Sequence, residues 1–127
     1  MNMLADKDIK VSVEAQYLDD QSDSSEDRYV FVYTVTIENK GNISAKLIAR
    51  HWIITDSNQK VQEVKGEGVV GEQPYLPPGT RFSYTSGTVL ETPFGTMRGS
   101  YKMIAEDGSE FDAKIEEFLL SVPRTIH

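Results

Sequence analysis

The stretch that decides the fold is Ile9-Lys10-Val11-Ser12-Val13-Glu14-Ala15-Gln16-Tyr17, in which apolar and polar side chains alternate without a break. Successive side chains of a β-strand point to opposite faces, so this alternation is typical of a strand with one buried and one solvated face. Similar stretches recur along the chain, and no segment has the sustained apolar stripe of an amphipathic helix. The sequence therefore predicts an all-β protein.

Short strands follow one another at nearly regular spacing. Seven are predicted, over residues 9–17, 29–39, 45–56, 61–68, 81–90, 96–105 and 110–120. An acidic loop over 19–28 and a Gly/Pro-rich loop over 69–80 separate some of them, and Asp107-Gly108 is a dipeptide typical of a tight hairpin. This arrangement predicts a seven-stranded β-sandwich of the fibronectin type III or immunoglobulin-like kind, with a closed barrel as the alternative.

Side-chain alternation also predicts which residues share a face. In the third strand one face is expected to carry Leu47, Ala49, His51 and Ile53, and the other face Ile48, Arg50, Trp52 and Ile54. In the last strand, Phe118 and Leu120 fall out of phase with Ile115. A one-residue β-bulge near Glu116 and Glu117 would restore the register.

Length and composition limit the class of protein. The chain has 127 residues, the size of one domain, and we expect its ends, 1–8 and 121–127, to be flexible. It contains no cysteine, so it has no disulfide and no thiolate metal site. Neither a signal peptide nor a membrane span is expected, and the predicted compartment is the cytoplasm. The net charge of −7 disfavours direct binding of nucleic acid.

The most conspicuous motif is Gly66-Glu67-Gly68-Val69-Val70-Gly71, a GxGxxG pattern. In a dinucleotide site this pattern must open a helix whose N-terminus holds the pyrophosphate. Pro74, Pro77 and Pro78 follow it and do not allow a helix, and the neighbouring glutamates would repel an anion. We therefore interpret the glycines as residues that let a strand bend and a loop turn tightly.

The residue types present give little support for a metal site or for catalysis. A lone strand histidine such as His51 is more often packed and hydrogen-bonded than a ligand, and His127 ends the chain. The acidic loop lacks the spacing of an EF-hand and would hold Mg²⁺ only weakly. Ser86 does not lie in a GxSxG elbow. We predict no metal ligand, no cofactor and no catalytic residue, and we expect a non-enzyme.

Several ordered runs of residues point to one family. They are Arg50-His51-Trp52-Ile53-Ile54-Thr55-Asp56, Glu63-Val64-Lys65-Gly66-Glu67-Gly68-Val69-Val70-Gly71-Glu72-Gln73-Pro74, Leu76-Pro77-Pro78-Gly79, Phe82-Ser83-Tyr84-Thr85-Ser86-Gly87, Thr92-Pro93-Phe94-Gly95-Thr96-Met97-Arg98-Gly99 and Tyr101-Lys102-Met103. Through these runs the chain resembles the ApaG family, also called CorD, over nearly its whole length. It departs from the family at Glu116-Glu117-Phe118, where a proline is expected before the phenylalanine.

The resemblance implies a fibronectin type III-like sandwich, in agreement with the strand pattern. It also implies a bacterial cytoplasmic protein that is linked genetically to cobalt resistance and magnesium efflux. It implies no established catalytic activity. ApaG-like domains also occur inside larger eukaryotic proteins that act through protein partners, so the resemblance alone does not define a molecular function.

The predicted function is that of a non-catalytic binding or adaptor module, because the loops and edge strands of a sandwich suit a protein or small anionic partner. We expect its surface to combine the Gly/Pro-rich loop with the third strand. The candidate residues are Arg50, His51, Trp52, Gly66, Gly68, Gly71, Glu72, Pro74 and Tyr75. Two alternatives stay open: a regulator that binds a divalent cation, nucleotide or phosphate directly, and a hydrolase with an unrecognised site.

Overall fold

Antiparallel β-strands make up most of the computed structural model, which describes residues 6–123. The strands are β1 (Ile9–Tyr17), β2 (Tyr29–Asn39), β3 (Ala45–Asp56), β4 (Val61–Glu67), β5 (Tyr75–Leu76), β6 (Arg81–Leu90), β7 (Phe94–Ala105) and β8 (Glu110–Ser121). Two short 3-10 turns, Asp19–Gln21 and Ser24–Glu26, lie in the acidic loop. Within the described residues no helix has the length and apolarity needed to cross a membrane. The all-β prediction is confirmed.

The strand count is eight instead of the predicted seven, because the Gly/Pro-rich loop contains the short strand β5. Tyr75 and Leu76 pair with Lys46 and Ala45 of β3. Prolines flank this pair of residues and favour an extended backbone, but two residues are too few for a recognisable alternation. The additional strand lies along the same edge of β3 as β4.

Two sheets pack face to face. One has the strand order β1-β2-β6, and the other has the order β4-β3-β7-β8, with β5 continuing the edge formed by β4. Strand β1 lies against β8 on one side of the sandwich. The opposite side, bounded by the edge strands β4 and β6, is called the open side below. The predicted sandwich architecture is confirmed.

The core is centred on the buried indole of Trp52. Its ring meets the rings of Tyr33, Tyr101 and Phe118 edge to face, with centroid distances of 5.4, 6.2 and 6.0 Å. Each such contact adds about 0.5–1.5 kcal/mol to the burial of the rings. Because Tyr33 belongs to the three-stranded sheet and Trp52 to the other, the cluster joins the two sheets.

The bulge predicted in the last strand is confirmed. The register of β7 against β8 shifts so that Arg98 faces both Glu116 and Glu117. The extra residue turns Phe118 back toward the core, where the alternation alone would have placed it outside. The sequence pattern detected this bulge because apolar residues lie on both sides of it.

A second bulge, in β3, is absent from the sequence-based prediction and changes the face assignment. The register of β3 against β7 shifts between Leu47 and Ala49, which leaves Ile48 as the extra residue. Leu47 therefore faces the core together with Trp52. The prediction that Leu47 shares a face with His51 is wrong. Three consecutive apolar residues, Leu47, Ile48 and Ala49, hide the slip from a period-two pattern.

Both ends of the described chain make main-chain hydrogen bonds. The carbonyls of Asp6 and Asp8 accept from Asn42 and Lys40 at 3.1 and 2.7 Å, and the N–H of Val122 donates to a neighbouring turn. The remainder of the ends expected to be flexible, residues 1–5 and 124–127 with His127, lies outside the described residues.

Gly99→Ala is expected to lower the free energy of unfolding by about 1–3 kcal/mol. A Cβ at position 99 would overlap the carbonyl oxygen of His51, so β3 and β7 would have to move apart. The matched control is Gly87→Ala, whose Cβ would lie 3.3 Å from the carbonyl oxygen of Phe31. The control should change the free energy by less than about 1 kcal/mol. Urea unfolding measures both variants, and equal losses would contradict the close approach of the two strands.

Candidate binding surface

The GxGxxG motif forms a tight hairpin on the open side of the sandwich. Val69 and Glu72 exchange two main-chain hydrogen bonds of 2.8 and 2.9 Å. The two residues between them, Val70 and Gly71, have φ angles of 43° and 82°. Positive φ at both central positions is the geometry of a type I′ turn. We call residues 68–73 the glycine hairpin.

The glycine hairpin interrupts an edge strand. Strands β4 and β5 both pair antiparallel with β3 along one edge. Between them Gly68 donates to the carbonyl of Ile48 at 2.8 Å, and Leu47 donates to the carbonyl of Pro74 at 2.9 Å. The five residues between Gly68 and Pro74 therefore leave the sheet and return at adjacent positions of β3. The element that follows the motif is the strand β5, so the motif does not open the helix that a dinucleotide site requires.

The bulge of β3 anchors this hairpin. In a regular strand the N–H of one residue and the C=O of the next point to opposite edges. At the bulge both Leu47 N–H and Ile48 C=O face the hairpin. The Ile48 carbonyl also accepts a bond of 3.0 Å from the side-chain amide of Gln73. The side chain of Val69 is fully buried in the core, so hydrogen bonds and packing both hold the hairpin in place.

Two motif glycines are required by contacts. Gly68 has a φ of 62°, and a Cβ there would overlap the carbonyl oxygen of Glu72. A Cβ at Gly66 would lie 2.7 Å from a terminal nitrogen of Arg50. That guanidinium is itself fixed, because its Nη1 donates to the carbonyls of Glu67 and Gly68 at 2.9 and 3.0 Å. These contacts agree with the interpretation that the glycines serve the geometry of the backbone.

Two apolar side chains of this region point into solvent. Val70, at the tip of the glycine hairpin, is 56% exposed, and Tyr75 in β5 is 59% exposed. Glu72 is exposed between them. A β-branched residue rarely adopts a positive φ, because its side chain crowds the backbone. Val70 therefore combines a strained backbone conformation with an exposed apolar side chain.

A cavity of about 160 Å³ opens beside the hairpin, between the two sheets. It is called the Arg50 pocket. Its lining side chains come from both sheets and from the hairpin; they are Tyr33, Arg50, Trp52, Val69, Val70, Tyr84 and Ser86. The indole of Trp52 is mainly a core group and contributes only one wall.

Phenol hydroxyls and one guanidinium make up the polar part of the Arg50 pocket. Ser86 hydrogen-bonds the hydroxyl of Tyr33, and the hydroxyls of Tyr84 and Tyr101 bond each other. Burial raises the pKa of Tyr84 to about 12 and also raises the pKa values of Tyr33 and Tyr101, while the charge of Arg50 acts in the opposite direction. The phenols therefore stay protonated at neutral pH and can donate hydrogen bonds.

His51 lies on the other face of β3, away from the Arg50 pocket. Its Nε2 is 2.8 Å from a carboxylate oxygen of Glu63. Hydrogen bonding from His51, and secondarily from Lys65, lowers the pKa of that glutamate. His51 lines a groove of about 530 Å³ on the outer face of the five-stranded sheet, and the charged residues of that lining include Arg50, Lys65, Glu67, Lys102 and Asp112. Among residues 6–123 no three His, Cys, Asp or Glu side chains come together as a metal site would require.

Comparison with known proteins assigns the chain to one family. A family model described as the ApaG domain matches residues 19–105. The chain belongs to the ApaG family. The protein ApaG of Thiobacillus denitrificans is 61% identical over 119 residues, which cover 94% of each chain, and that of Nitrosospira multiformis is 58% identical over 120 residues, with the same coverage.

Solved structures agree with this assignment. A Bordetella pertussis protein solved under the name ApaA is 54% identical, with a TM-score of 0.93, and the match covers 96% of this chain and 99% of that one. A protein from Archaeoglobus fulgidus shares the fold alone, at 13% identity and a TM-score of 0.51, over 93% of this chain and 100% of that one. The family predicted from the sequence is thereby confirmed.

The structure of this ApaG chain divides the predicted site residues into two groups. The open side brings together Arg50, Trp52, Gly66, Gly68, Gly71, Glu72, Pro74 and Tyr75. His51 bonds Glu63 on the other face of β3, and it lines the larger groove of that face together with Arg50 and Gly66. Sequence reasoning missed Val70 and the hydroxyl-bearing residues of β2 and β6 that line the pocket. Their position could be found only from the sheet pairing, because they are distant in sequence and of common type.

Stability measurements on alanine variants should separate the roles of the motif glycines. Gly68→Ala should cost the most, well over about 1 kcal/mol, because it adds a backbone overlap to a positive φ. Gly71→Ala should cost about 1 kcal/mol, since its Cβ would meet nothing within 4 Å and only its φ is unfavourable. Thermal and urea unfolding measure the order. The same melting temperature for wild type and both variants would contradict a backbone role.

Proposed function

We propose that this ApaG-family protein is a non-catalytic binding module that engages a protein partner in the cytoplasm through the glycine hairpin. The observation that carries the proposal is Val70. It is a β-branched residue with positive φ at an exposed hairpin tip, where asparagine would be favoured. A backbone strain of this kind costs about 1–3 kcal/mol, and such strain clusters at functional sites.

The anchoring of the hairpin supports the same proposal. A loop fixed by main-chain bonds and by the buried Val69 loses little conformational entropy on binding. Val70 and Tyr75 offer apolar and aromatic surface, which interfaces use, and the exposed Glu72 lies between them in the sequence. The arrangement suits a small apolar contact with a polar rim.

The chemistry of the Arg50 pocket supports a non-catalytic role. No histidine, aspartate or glutamate lines it. Its tyrosines have raised pKa values, about 12 for Tyr84, so they are poor general bases at neutral pH. The histidine of the outer face pairs with a glutamate and hydrogen-bonds no serine or threonine hydroxyl in residues 6–123.

Val70→Asn is expected to stabilise the protein and to weaken its capture of a partner. Asparagine tolerates positive φ, so the free energy of unfolding should rise by about 1 kcal/mol. Loss of the apolar tip should reduce the amount of partner retained on immobilised protein from lysate of the native cell. Urea unfolding and quantitative mass spectrometry measure the two effects.

The matched control is Val61→Asn, the same substitution at a residue that is 60% exposed in β4. It should retain the partner at the wild-type level. If both variants lose the same proteins equally, or neither loses any, the glycine hairpin is not the interface and the proposal fails.

We further propose that the cobalt and magnesium phenotypes implied by the family resemblance arise indirectly, through the partner. Cobalt prefers nitrogen or sulfur ligands, and the chain has no cysteine. In the acidic loop, Asp23 Oδ1 accepts bonds from the N–H and hydroxyl of Ser25, and among residues 6–123 no three His, Cys, Asp or Glu side chains come together to hold Mg²⁺.

Titration of the purified protein with Co²⁺ should give no saturable binding in the low micromolar range, and His51→Ala should not alter the amide spectrum's response to the metal. A lone imidazole already paired with Glu63 is a weak site. NMR of the wild type and the variant checks this. Saturable micromolar binding that disappears in His51→Ala would make the protein a direct cobalt binder.

A further inference from the structure

Arg50 carries a positive charge to the open side of the sandwich without an acidic partner. Its Nη1 donates to two main-chain carbonyls, and in residues 6–123 it forms no ion pair with an aspartate or glutamate. The side chain is partly buried. A guanidinium presents several N–H donors in a planar fork, and a carboxylate can accept two of them at once. The remaining donors of Arg50 therefore suit an anion supplied from outside.

The Arg50 pocket has the size and lining for a small singly charged group. Its volume of about 160 Å³ is bounded by apolar surface from Trp52 and Val69 and by hydroxyls from Tyr84 and Ser86. The hydroxyls can donate to an anion, and the apolar walls can pack against a short hydrocarbon stem. Arg50 is the only cation in the lining, so a carboxylate is better compensated than a phosphate dianion.

The edge strand next to this pocket is unusually free of charge. From Phe82 to Leu90, β6 contains no charged residue. The other sheet edges carry charges along their length, as in Glu14 of β1, Lys65 of β4 and Lys114 of β8. Charged side chains normally protect edge strands from pairing with other chains. The absence of that protection along β6 leaves its outer backbone groups available to another strand.

We propose that an extended segment of a partner protein adds to the edge of β6 and places one carboxylate, from a side chain or a chain terminus, in the Arg50 pocket. The proposal rests on the proposed function and specifies the partner's chemistry. Tyr84 and Ser86, which line the pocket, belong to β6 itself. Alternate side chains of an added strand point to the same side, so one of them would face Arg50.

Three N-acetylated peptides of threonine and valine test the proposal. The first is an amide with one central glutamate, the second has glutamine at that position and a free C-terminal carboxylate, and the third has glutamine and an amidated end. Titration followed by ¹⁵N NMR should shift the amides of Phe82–Leu90 and the side-chain Nε–H of Arg50. The peptide with the productive carboxylate should bind at least about tenfold more tightly than the uncharged peptide.

The peptide series also distinguishes two sources of a carboxylate. Tighter binding of the glutamate amide identifies a side-chain carboxylate, and tighter binding of the second peptide identifies a chain terminus. Equal binding of all three, or no binding of any, overturns the proposal. Inorganic phosphate is the fourth probe, and a larger shift of Arg50 with phosphate than with either charged peptide would also overturn it.

Ser86→Asp provides the variant test, because it places a carboxylate in the pocket without removing Arg50. It should abolish the preference for the charged peptide. The control is Thr85→Asp, which adds the same charge on the outer face of the same strand. The preference should survive in the control, and its survival in Ser86→Asp as well would contradict the assignment to the Arg50 pocket.

Failure of this inference can be separated from failure of the proposed function. If the peptides show no carboxylate preference while partner capture still depends on Val70, only the carboxylate site is wrong. If capture does not depend on Val70, the glycine hairpin is not the interface, whatever the peptides show. The two assays use different variants and different readouts. The peptide titration tests the carboxylate site, and partner capture tests the glycine hairpin as the interface.

Discussion

The candidate surface depends on the extra residue in β3. Because Ile48 is inserted against β7, the N–H of Leu47 and the carbonyl of Ile48 both face the neighbouring edge. The edge strand formed by β4 and β5 therefore leaves the sheet after Gly68 and returns to it at Pro74. A regular β3 would offer partners for a regular edge strand, and the glycine hairpin would lose its main-chain bonds to Leu47 and Ile48. The position of Val70 thus follows from a register shift in a different strand.

The same shift determines which face Arg50 occupies. Before the bulge in chain order, the side chain of Leu47 points to the core. After the bulge, the side chains of Arg50 and Trp52 point to that face. Trp52 fills the space between the sheets, whereas Arg50 lies where that space opens. His51 is turned to the outer face and pairs there with Glu63. The two adjacent residues therefore have different hydrogen-bond partners: Arg50 bonds the carbonyls of Glu67 and Gly68, whereas His51 bonds Glu63.

The sequence predicts a secondary-structure element well where its pattern of alternating side chains is long, and less well where that pattern is short. Seven strands could be recognised because each has several alternating residues, and the β8 bulge could be recognised because Phe118 and Leu120 are both out of phase. Strand β5 has two residues and no alternation. The β3 bulge lies among apolar residues that suit either face, so no polar residue reveals the slip.

The candidate site could be predicted from the sequence only in part, because only some of its features follow from a local pattern. The prolines after the GxGxxG motif exclude a helix locally, so a structural role for the glycines follows from the chain itself. The Arg50 pocket, however, forms from three strands and a hairpin. Its tyrosines and serine come together only because β2 pairs with β6. Residue type did not single them out.

Two unfavourable features coincide on the open side of the sandwich. Val70 holds a backbone conformation that asparagine or glycine would hold with less strain, and Arg50 keeps a partly buried charge without a counter-charge among the described residues. Either could be relieved by one substitution on the same chain, with no change of fold. Elsewhere the described polar side chains are satisfied, with no buried nitrogen or oxygen lacking a hydrogen bond in residues 6–123. We propose that a binding partner that covers the hairpin tip and neutralises the guanidinium would relieve both features together.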